Sequence, residues 1–414
     1  MMATAMPEQL RMMFSGRHGE VNQRPYDVSI LLIALTLMSI GLIVVTSASM
    51  PAASRLFGNP FHFAIRHLVY IALALSAFFV TLQFPMRWWK WSNTWLLLVS
   101  IALLLAVLIL GRNVNGSTRW LALGPITIQP SEPAKLFFFC YLAGYLVRRY
   151  EEVTENIKGF IKPLIVFFVL ALLLLMQPDL GTVVVMLATT IGLLFLAGAR
   201  LWQFFALMLS GAVAVGILIL TSPYRMARVT SFMDPWADPF GSGYQLTQSL
   251  MAYGRGDIFG QGLGNSLQKL EYLPEAHTDF IMAILAEELG FAGVICVLLL
   301  LLALVIKALQ LGNRALIKER PYEGYLAYSI GIWLSFQTAV NIGASAGILP
   351  TKGLTLPLVS YGGNSIIIMS MAIALLLRID FELRMTDVQV LSGAKKRLGR
   401  AKQDDILPQE HDDD

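Results

Sequence analysis

Charge is what this chain has least of. Only 14% of its 414 residues are Asp, Glu, Lys or Arg, against about 25% in an ordinary soluble domain. Beside 56% hydrophobic residues, that shortage excludes a water-soluble globular fold. Cysteine is nearly absent. Cys140 and Cys296 both sit in apolar runs, which excludes a disulfide framework or a cysteine metal site and leaves them as small apolar residues. No His/Asp spacing demands a metal. Alternating polar–apolar stretches are missing too, so a membrane β-barrel is excluded. The first 26 residues lack a cleavable-signal pattern and lead straight into a full-length apolar segment, which is expected to stay. No repeat of 20 to 50 residues is visible. The net charge of +4 makes no case for nucleic acid, because in a membrane protein the placement of Lys and Arg matters more than their sum.

What is present is a succession of apolar windows about 20 residues long, enough to cross a bilayer. The chain reads as an all-α polytopic integral membrane protein. Ten spans are expected, at 27–48, 65–84, 94–111, 133–148, 160–176, 180–198, 202–221, 279–306, 325–347 and 363–379. With this threading, 21 of the 31 Lys and Arg fall on one side and 10 on the other. The excess places both termini in the cytoplasm of a plasma (inner) membrane protein. The domains are then a cytoplasmic segment 1–26, a ten-helix membrane domain 27–384 and a cytoplasmic tail 385–414. The tail turns from basic to acidic and is expected to be disordered. One connection stands out: residues 222–278 form an external loop of 57 residues between spans 7 and 8. Loops of that length are usually functional.

The polar residues concentrate on the outer side. In QPSEPAK, Ser131 is a plausible N-cap with Glu132 and Pro133 in the first helical turn. Glu132 and Lys135 share a helix face at i, i+3. The pair reads either as a cap with an ion pair or as an anion site, Lys135 being joined by Arg119 beside Trp120. Two cations near an interfacial aromatic suit a lipid phosphate or diphosphate. QPDLGT, 177–182, is a tight hairpin in which Asp179 is expected to cap the next helix. Tyr244 to Tyr253, between glycine clusters of the long loop, has the spacing of a short interfacial helix. LPTKGLTLPLVSYGGNS, 349–365, breaks a helix with two prolines and three glycines, and Lys352 is its only charge. It reads as a re-entrant or cavity-lining segment.

In LPEAHTDFIMAILAEELGFAG, 273–293, the polar cluster Glu275, His277 and Asp279 runs directly into an apolar segment. With Thr278 as cap, Asp279 falls in the first turn of span 8. At a rise of about 1.5 Å per residue, Glu287 and Glu288 would lie roughly 12–14 Å deeper, near the midplane. Carboxylates there must face the interior, paired or neutral. A helix-dipole role explains Asp279 alone, but not Glu275 and His277 beside it.

HTDF with EELG downstream, QPSEPAK, QPDLGT, DPFGSGYQ and LPTKGLTLPLVSYGG, in that company across residues 25–385, resemble the SEDS family (shape, elongation, division, sporulation). YLPEAHTDF with GSGYQLTQSLMAYGRG is most similar to its cell-division branch. One departure is Asn364, where a small residue, usually Ser, follows the glycine pair. The resemblance implies an inverting peptidoglycan glycosyltransferase that polymerises lipid II, the undecaprenyl-diphosphate-linked disaccharide-pentapeptide, on the outer face of the membrane at the division septum. It implies a class B penicillin-binding transpeptidase as partner, with other divisome membrane proteins and membrane lipids. The family's essential aspartate matches Asp279, and its essential basic and acidic positions match Arg119, Glu132 and Lys135.

Such chemistry needs one base and charge balance for a diphosphate leaving group, not the two carboxylates of a glycosidase. Asp279 is the expected catalytic base. Arg119, Lys135, Glu132, Trp120, His277 and Lys352 are the expected lipid II- and diphosphate-binding residues, supported by intramembrane Glu287 and Glu288. No cofactor is required by the sequence, and a divalent cation, magnesium or manganese, is compatible with it. Two other classes remain: a lipid II flippase and a non-catalytic divisome scaffold. A flippase needs polar groups along the whole path, whereas the ionisable groups here gather at the outer face.

Overall fold

The structure is a computed structural model that describes residues 26–114, 117–123, 126–350 and 353–404. It is helical apart from one small sheet. The elements are α1 Val28–Phe57, α2 His62–Gln83, α3 Met86–Leu110, β1 Arg112–Val114, β2 Ser117–Leu123, β3 Ile126–Ile128, α4 Ser131–Arg148, α5 Tyr150–Glu155, α6 Ile157–Met176, α7 Leu180–Leu196, α8 Leu201–Leu220, α9 Pro223–Met233, α10 Tyr244–Gly256, α11 Ile281–Ile317, α12 Pro321–Ser345 and α13 Gly363–Asp404. Each of the ten expected apolar segments coincides with one of the longer helices. Six of the described helices, α1, α2, α3, α6, α8 and α11, are long and apolar enough to cross a membrane.

Leucine-rich segments without internal breakers form helices because every backbone group is then satisfied within the segment. Large apolar side chains such as Leu32, Phe79, Phe168, Phe205 and Leu209 point outward, which suits hydrocarbon rather than water. α12 is the inner helix. It packs against α11, α7 and α4, and its Tyr322 and Trp333, with Phe138 and Phe139 of α4, are fully buried.

Two compact units are distinguished, residues 29–379 and residues 1–28 with 380–414. The second contains a small polar knot: Asp380 accepts from the Asp27 amide at 2.7 Å and from Arg384 Nε at 2.6 Å. The tail does not lose structure at residue 385. α13 continues to Asp404, because Leu391, Ala394, Lys395, Lys396, Arg397 and Lys402 are good helix formers and no proline interrupts them. Residues 1–25 and 405–414 lie outside the described residues.

Residues 112–114, 117–123 and 126–128 pair as an antiparallel sheet, β1-β2-β3, with Leu121 opposite Ile128. Two further expectations are corrected. Ser131 does not cap α4: Pro130 holds that position, and Ser131 is the first helical residue. Thr278 does not cap α11 either, since its hydroxyl turns back to Glu275, bonding Oε2 at 2.6 Å, and the helix starts at Ile281 behind Phe280.

α11 is itself two helices. Gly290 has φ +70° and ψ −170°, a conformation open to glycine and costly for other residues. The long loop supplies the hydrogen bonds that the helix gives up there. Gln261 N donates to Glu287 O at 2.9 Å, Gly262 N donates to Glu288 O at 3.0 Å, and Phe291 N donates to Asp257 O at 2.9 Å. Glu287 and Glu288 stand before the break, laced to residues 255–269.

Candidate functional site

α4 begins with two breakers, Pro130 and Pro133, around Ser131 and Glu132. This start delivers Glu132 and Lys135 one turn apart into the protein interior. Lys135 has no exposed surface. Its ammonium donates to Glu132 Oε1 at 2.9 Å and to Gln337 Oε1 at 3.1 Å, and lies 5.2 Å from the centre of the Trp333 ring. A buried ammonium requires such partners. Glu132 is only half satisfied: its Oε2 is buried with no hydrogen-bond partner.

Arg119 sits on β2, half-buried. It reaches the QPDLGT hairpin, where Nε donates to Gln177 O at 3.0 Å and the guanidinium also bonds Pro178 O. Two of its five N–H donors are thus committed to backbone carbonyls. The hairpin is as the sequence predicts, with Asp179 capping α7 through the Thr182 amide at 3.3 Å and the Thr182 hydroxyl at 2.9 Å. Trp120, also half-buried, pairs through β2 with Arg112 of β1.

Asp279 lies in an irregular turn, half-buried, two residues before α11. Its carbonyl accepts from Asn341 Nδ2 at 3.0 Å. Its carboxylate lies against the segment after α12: a Cβ added at Gly353 would stand 3.1 Å from Asp279 Oδ2. A side chain at residue 353 would press on that carboxylate. The next residues tie the parts together. Leu354 O accepts from Asn341, Thr355 O accepts from Gln337 Nε2 at 2.9 Å, and the Leu354 side chain lies 3.1 Å from where a Cβ on Gly181 of the hairpin would be. Residues 346–350 and 353–362 are thus non-helical chain between α12 and α13. Asn364, the departure from the family pattern, donates to Thr127 O of β3 at 3.0 Å.

His277 packs its ring against Phe63 and Tyr361, with centroids 4.9 and 5.4 Å away. Its carbonyl accepts from the Tyr361 amide at 3.0 Å. Burial holds its imidazole below the ordinary histidine range, with Glu275 pulling weakly the other way. It shapes the wall behind Asp279. Lys352 lies outside the described residues.

Glu287 and Glu288 belong elsewhere. Glu287 accepts from Arg255 at 3.0 Å, from Leu267 N at 3.0 Å, from Gln268 N at 3.2 Å and from the Ser266 hydroxyl. Glu288 Oε1 takes Lys269 Nζ at 2.7 Å and Ser47 Oγ at 2.6 Å. These carboxylates fasten the long loop to α11 and α1. α10 is pinned as well, Ser249 Oγ donating to Ser345 O at 2.6 Å.

The structure therefore brings Glu132, Lys135 and Asp279 onto one framework of α12 and residues 353–355, with Arg119 and its hairpin against the same segment. Sequence reasoning missed Gln337, Asn341 and Gly353. The first two could have been noticed as amides four residues apart in an apolar helix. Among the described residues no group of three His, Cys, Asp or Glu side chains is placed to hold a metal ion.

A polytopic helical membrane protein with a carboxylate and a buried ammonium set by interlocked loops is the class that fold and site define. The chain belongs to the cell cycle protein family of FtsW, RodA and SpoVE, whose model matches residues 27–385. It is 72% identical over 395 residues to a probable peptidoglycan glycosyltransferase FtsW of Pseudoalteromonas atlantica, covering 95% of this chain and 80% of that one. It is 57% identical over 364 residues to the protein of the same description from Escherichia coli O6:H1, covering 88% of each. Among solved structures, it resembles a chain of a peptidoglycan synthase complex that coordinates polymerization and crosslinking, with TM-score 0.69 and 27% identity over 86% of this chain and 98% of that one. It also resembles the rod shape determining protein RodA of Thermus thermophilus, with TM-score 0.64 and 26% identity over 87% and 98%.

Proposed function

We propose that this peptidoglycan glycosyltransferase polymerises lipid II at the outer face of the plasma membrane, at the division septum, with Asp279 as general base. The observation that carries the reading is the framework joining Asp279 to the buried Glu132–Lys135 pair through Asn341, Gln337 and the 353–355 backbone. The 4-hydroxyl of the acceptor sugar attacks the donor's anomeric carbon. A new C–O bond forms with inversion, the bond to the lipid diphosphate breaks, and the hydroxyl proton passes to the Asp279 carboxylate. The diphosphate leaves unprotonated when its charge is balanced. Lys135 supplies that charge, oriented by Glu132, and Arg119 supplies more from the hairpin side. In a site shielded from water such a contact is strong. Ten spans with both termini cytoplasmic put the loops, and so the site, outside. A class B penicillin-binding transpeptidase that crosslinks the new strand is the natural partner, a reading supported by the likeness to a chain of a peptidoglycan synthase complex that coordinates polymerization and crosslinking.

The test is polymerisation of purified lipid II by the full-length chain with a septal transpeptidase in liposomes. The wild type makes glycan polymer, and Asp279→Ala at equal folded amount makes none. Wild-type rates from Asp279→Ala would remove the base assignment. Lipid II translocation without any polymer from the wild type would favour a flippase.

A further inference from the structure

Trp333, Gln337 and Asn341 stand four residues apart on α12 and so share one face. All three are essentially fully buried. Neither amide touches the reacting groups directly in the steps above, yet each is bonded into the site at two ends. Gln337 Oε1 accepts from Trp333 Nε1 at 2.8 Å and from Lys135 Nζ at 3.1 Å, while its Nε2 donates to Thr355 O at 2.9 Å. Asn341 Nδ2 donates to Asp279 O at 3.0 Å and to Leu354 O. The amide orientations follow from these partners. Gln337 Oε1 faces an ammonium and an indole N–H, both donors only, and Asn341 Nδ2 faces two carbonyls, acceptors only.

The consequence is geometric. The cation that would balance the leaving group and the carboxylate that would take the proton come from segments far apart in sequence. The 353–355 segment and these two amides link them. An irregular segment has no helix or sheet ladder to fix it. Here it is fixed by two amides on one rigid helix, and Gly353 brings it against the Asp279 carboxylate. Gln337 is bonded at both ends, and Asn341 spends its Nδ2 on two carbonyls while its buried Oδ1 has no hydrogen-bond partner; buried hydrogen bonds of this kind hold geometry tightly.

We propose that Gln337 and Asn341 are positioning residues that set the separation between the Lys135 ammonium and the Asp279 carboxylate. This rests on the reading of Asp279 as base and Lys135 as the diphosphate cation. Neither amide contacts substrate in this role. Their loss should lower turnover rather than substrate binding, because a displacement of about 1 Å costs on the order of 100-fold in rate.

Two variants separate the bonds. Asn341→Ala removes both donors to the Asp279 and Leu354 carbonyls. Gln337→Glu keeps an oxygen that accepts from Lys135 and Trp333, replaces the donor to Thr355 by a second oxygen, and adds a buried negative charge beside Lys135. Steady-state kinetics on purified lipid II, with the transpeptidase present, are measured for both variants, wild type and Asp279→Ala, beside thermal unfolding of each. The expected result is a fall in kcat of roughly 10- to 100-fold for Asn341→Ala and about 10-fold for Gln337→Glu. KM should stay within about threefold for both variants, with rates compared at equal folded amount because Gln337→Glu buries a charge and lowers the unfolding midpoint. Both variants within about twofold of wild-type kcat, with Asp279→Ala inactive, would overturn the positioning role and leave the base standing. A fall in kcat, matched by a rise in KM in both variants, would also overturn it, leaving only a packing role. Should Asn341→Ala fail to fold, Gln337→Glu decides alone. An active Asp279→Ala would remove the underlying reading instead.

Discussion

Glu132 and Lys135 meet at the start of α4, and Glu287 and Glu288 meet Arg255, Lys269 and Ser47 before the Gly290 break. In the sequence these look alike, as ionisable residues set in apolar surroundings. Their hydrogen bonds differ. Both oxygens of Glu287 are used, by two backbone amides, a hydroxyl and a guanidinium. Glu132 keeps one buried oxygen without a partner, and the ammonium it holds is shared with an amide that leads to Asp279. A saturated carboxylate is a fastening. Glu288 resembles Glu132 in one respect, its Oε2 being buried without a hydrogen-bond partner, but its cation, Lys269, leads to Ser47 and the long loop and not to Asp279. The comparison teaches that burial, charge and an unsatisfied oxygen do not by themselves mark a reactive site; what the paired cation is bonded to separates the two clusters.

The comparison can be broken at either cluster. The largest effect expected at the fastening is on folding. Glu287→Ala leaves two loop amides and the Ser266 hydroxyl without their acceptor, and a buried donor left unsatisfied costs about 1–3 kcal/mol, the partly exposed Arg255 adding little. Thermal unfolding of purified protein should show it, together with faster proteolysis within residues 257–270. An unchanged midpoint would mean the loop is held by something else. At the reactive cluster, Lys135→Ala should lower kcat/KM for lipid II by roughly 10- to 100-fold, the worth of one charge-assisted contact. Because Lys135 has no exposed surface, added salt should hardly change that factor. A factor that shrinks with salt would place the cation at the surface.

A smaller effect tests the wall behind Asp279. The His277 imidazole is held below its ordinary range by burial, so between its folded pKa and the ordinary value near 6.5 the unfolded chain binds the extra proton. Stability is complete above about pH 6.5 and declines as the pH falls below it. Unfolding midpoints of wild type should therefore drop between pH 7 and 5 by more than those of His277→Phe. Parallel curves would show that the ring is not buried neutral.

Much of the fold could be read in the sequence because bilayer crossing is a length and composition requirement, met locally. All ten apolar segments became helices, and Asp179, Thr182 and the tight hairpin obeyed their local spacing. The site was legible in part. Lys135 and Glu132 are neighbours on one helix turn, so their pairing follows from number alone. The break at Gly290 was not legible, because EELGFAG reads as one apolar helix until residues 257–262 arrive to take its hydrogen bonds. Thr278 and Ser131 failed as caps for a related reason: Glu275 and Gln129 offered them nearer partners. Gln337 and Asn341 acquire meaning only when residues 353–355, just beyond the end of α12, fold back over it.

The most direct test measures rate and stability together in two isosteric variants, Asp279→Asn and Glu287→Gln. The reactive cluster should lose its rate and keep its fold: polymerisation by Asp279→Asn falls by about 10²- to 10⁴-fold, the usual worth of a general base, with the unfolding midpoint near wild type. The fastening should lose stability first: Glu287→Gln unfolds at lower temperature, while its remaining folded molecules polymerise lipid II at close to the wild-type rate. The opposite pattern, a stable but inactive Glu287→Gln beside an active Asp279→Asn, would contradict the division of the two clusters into one that reacts and one that holds.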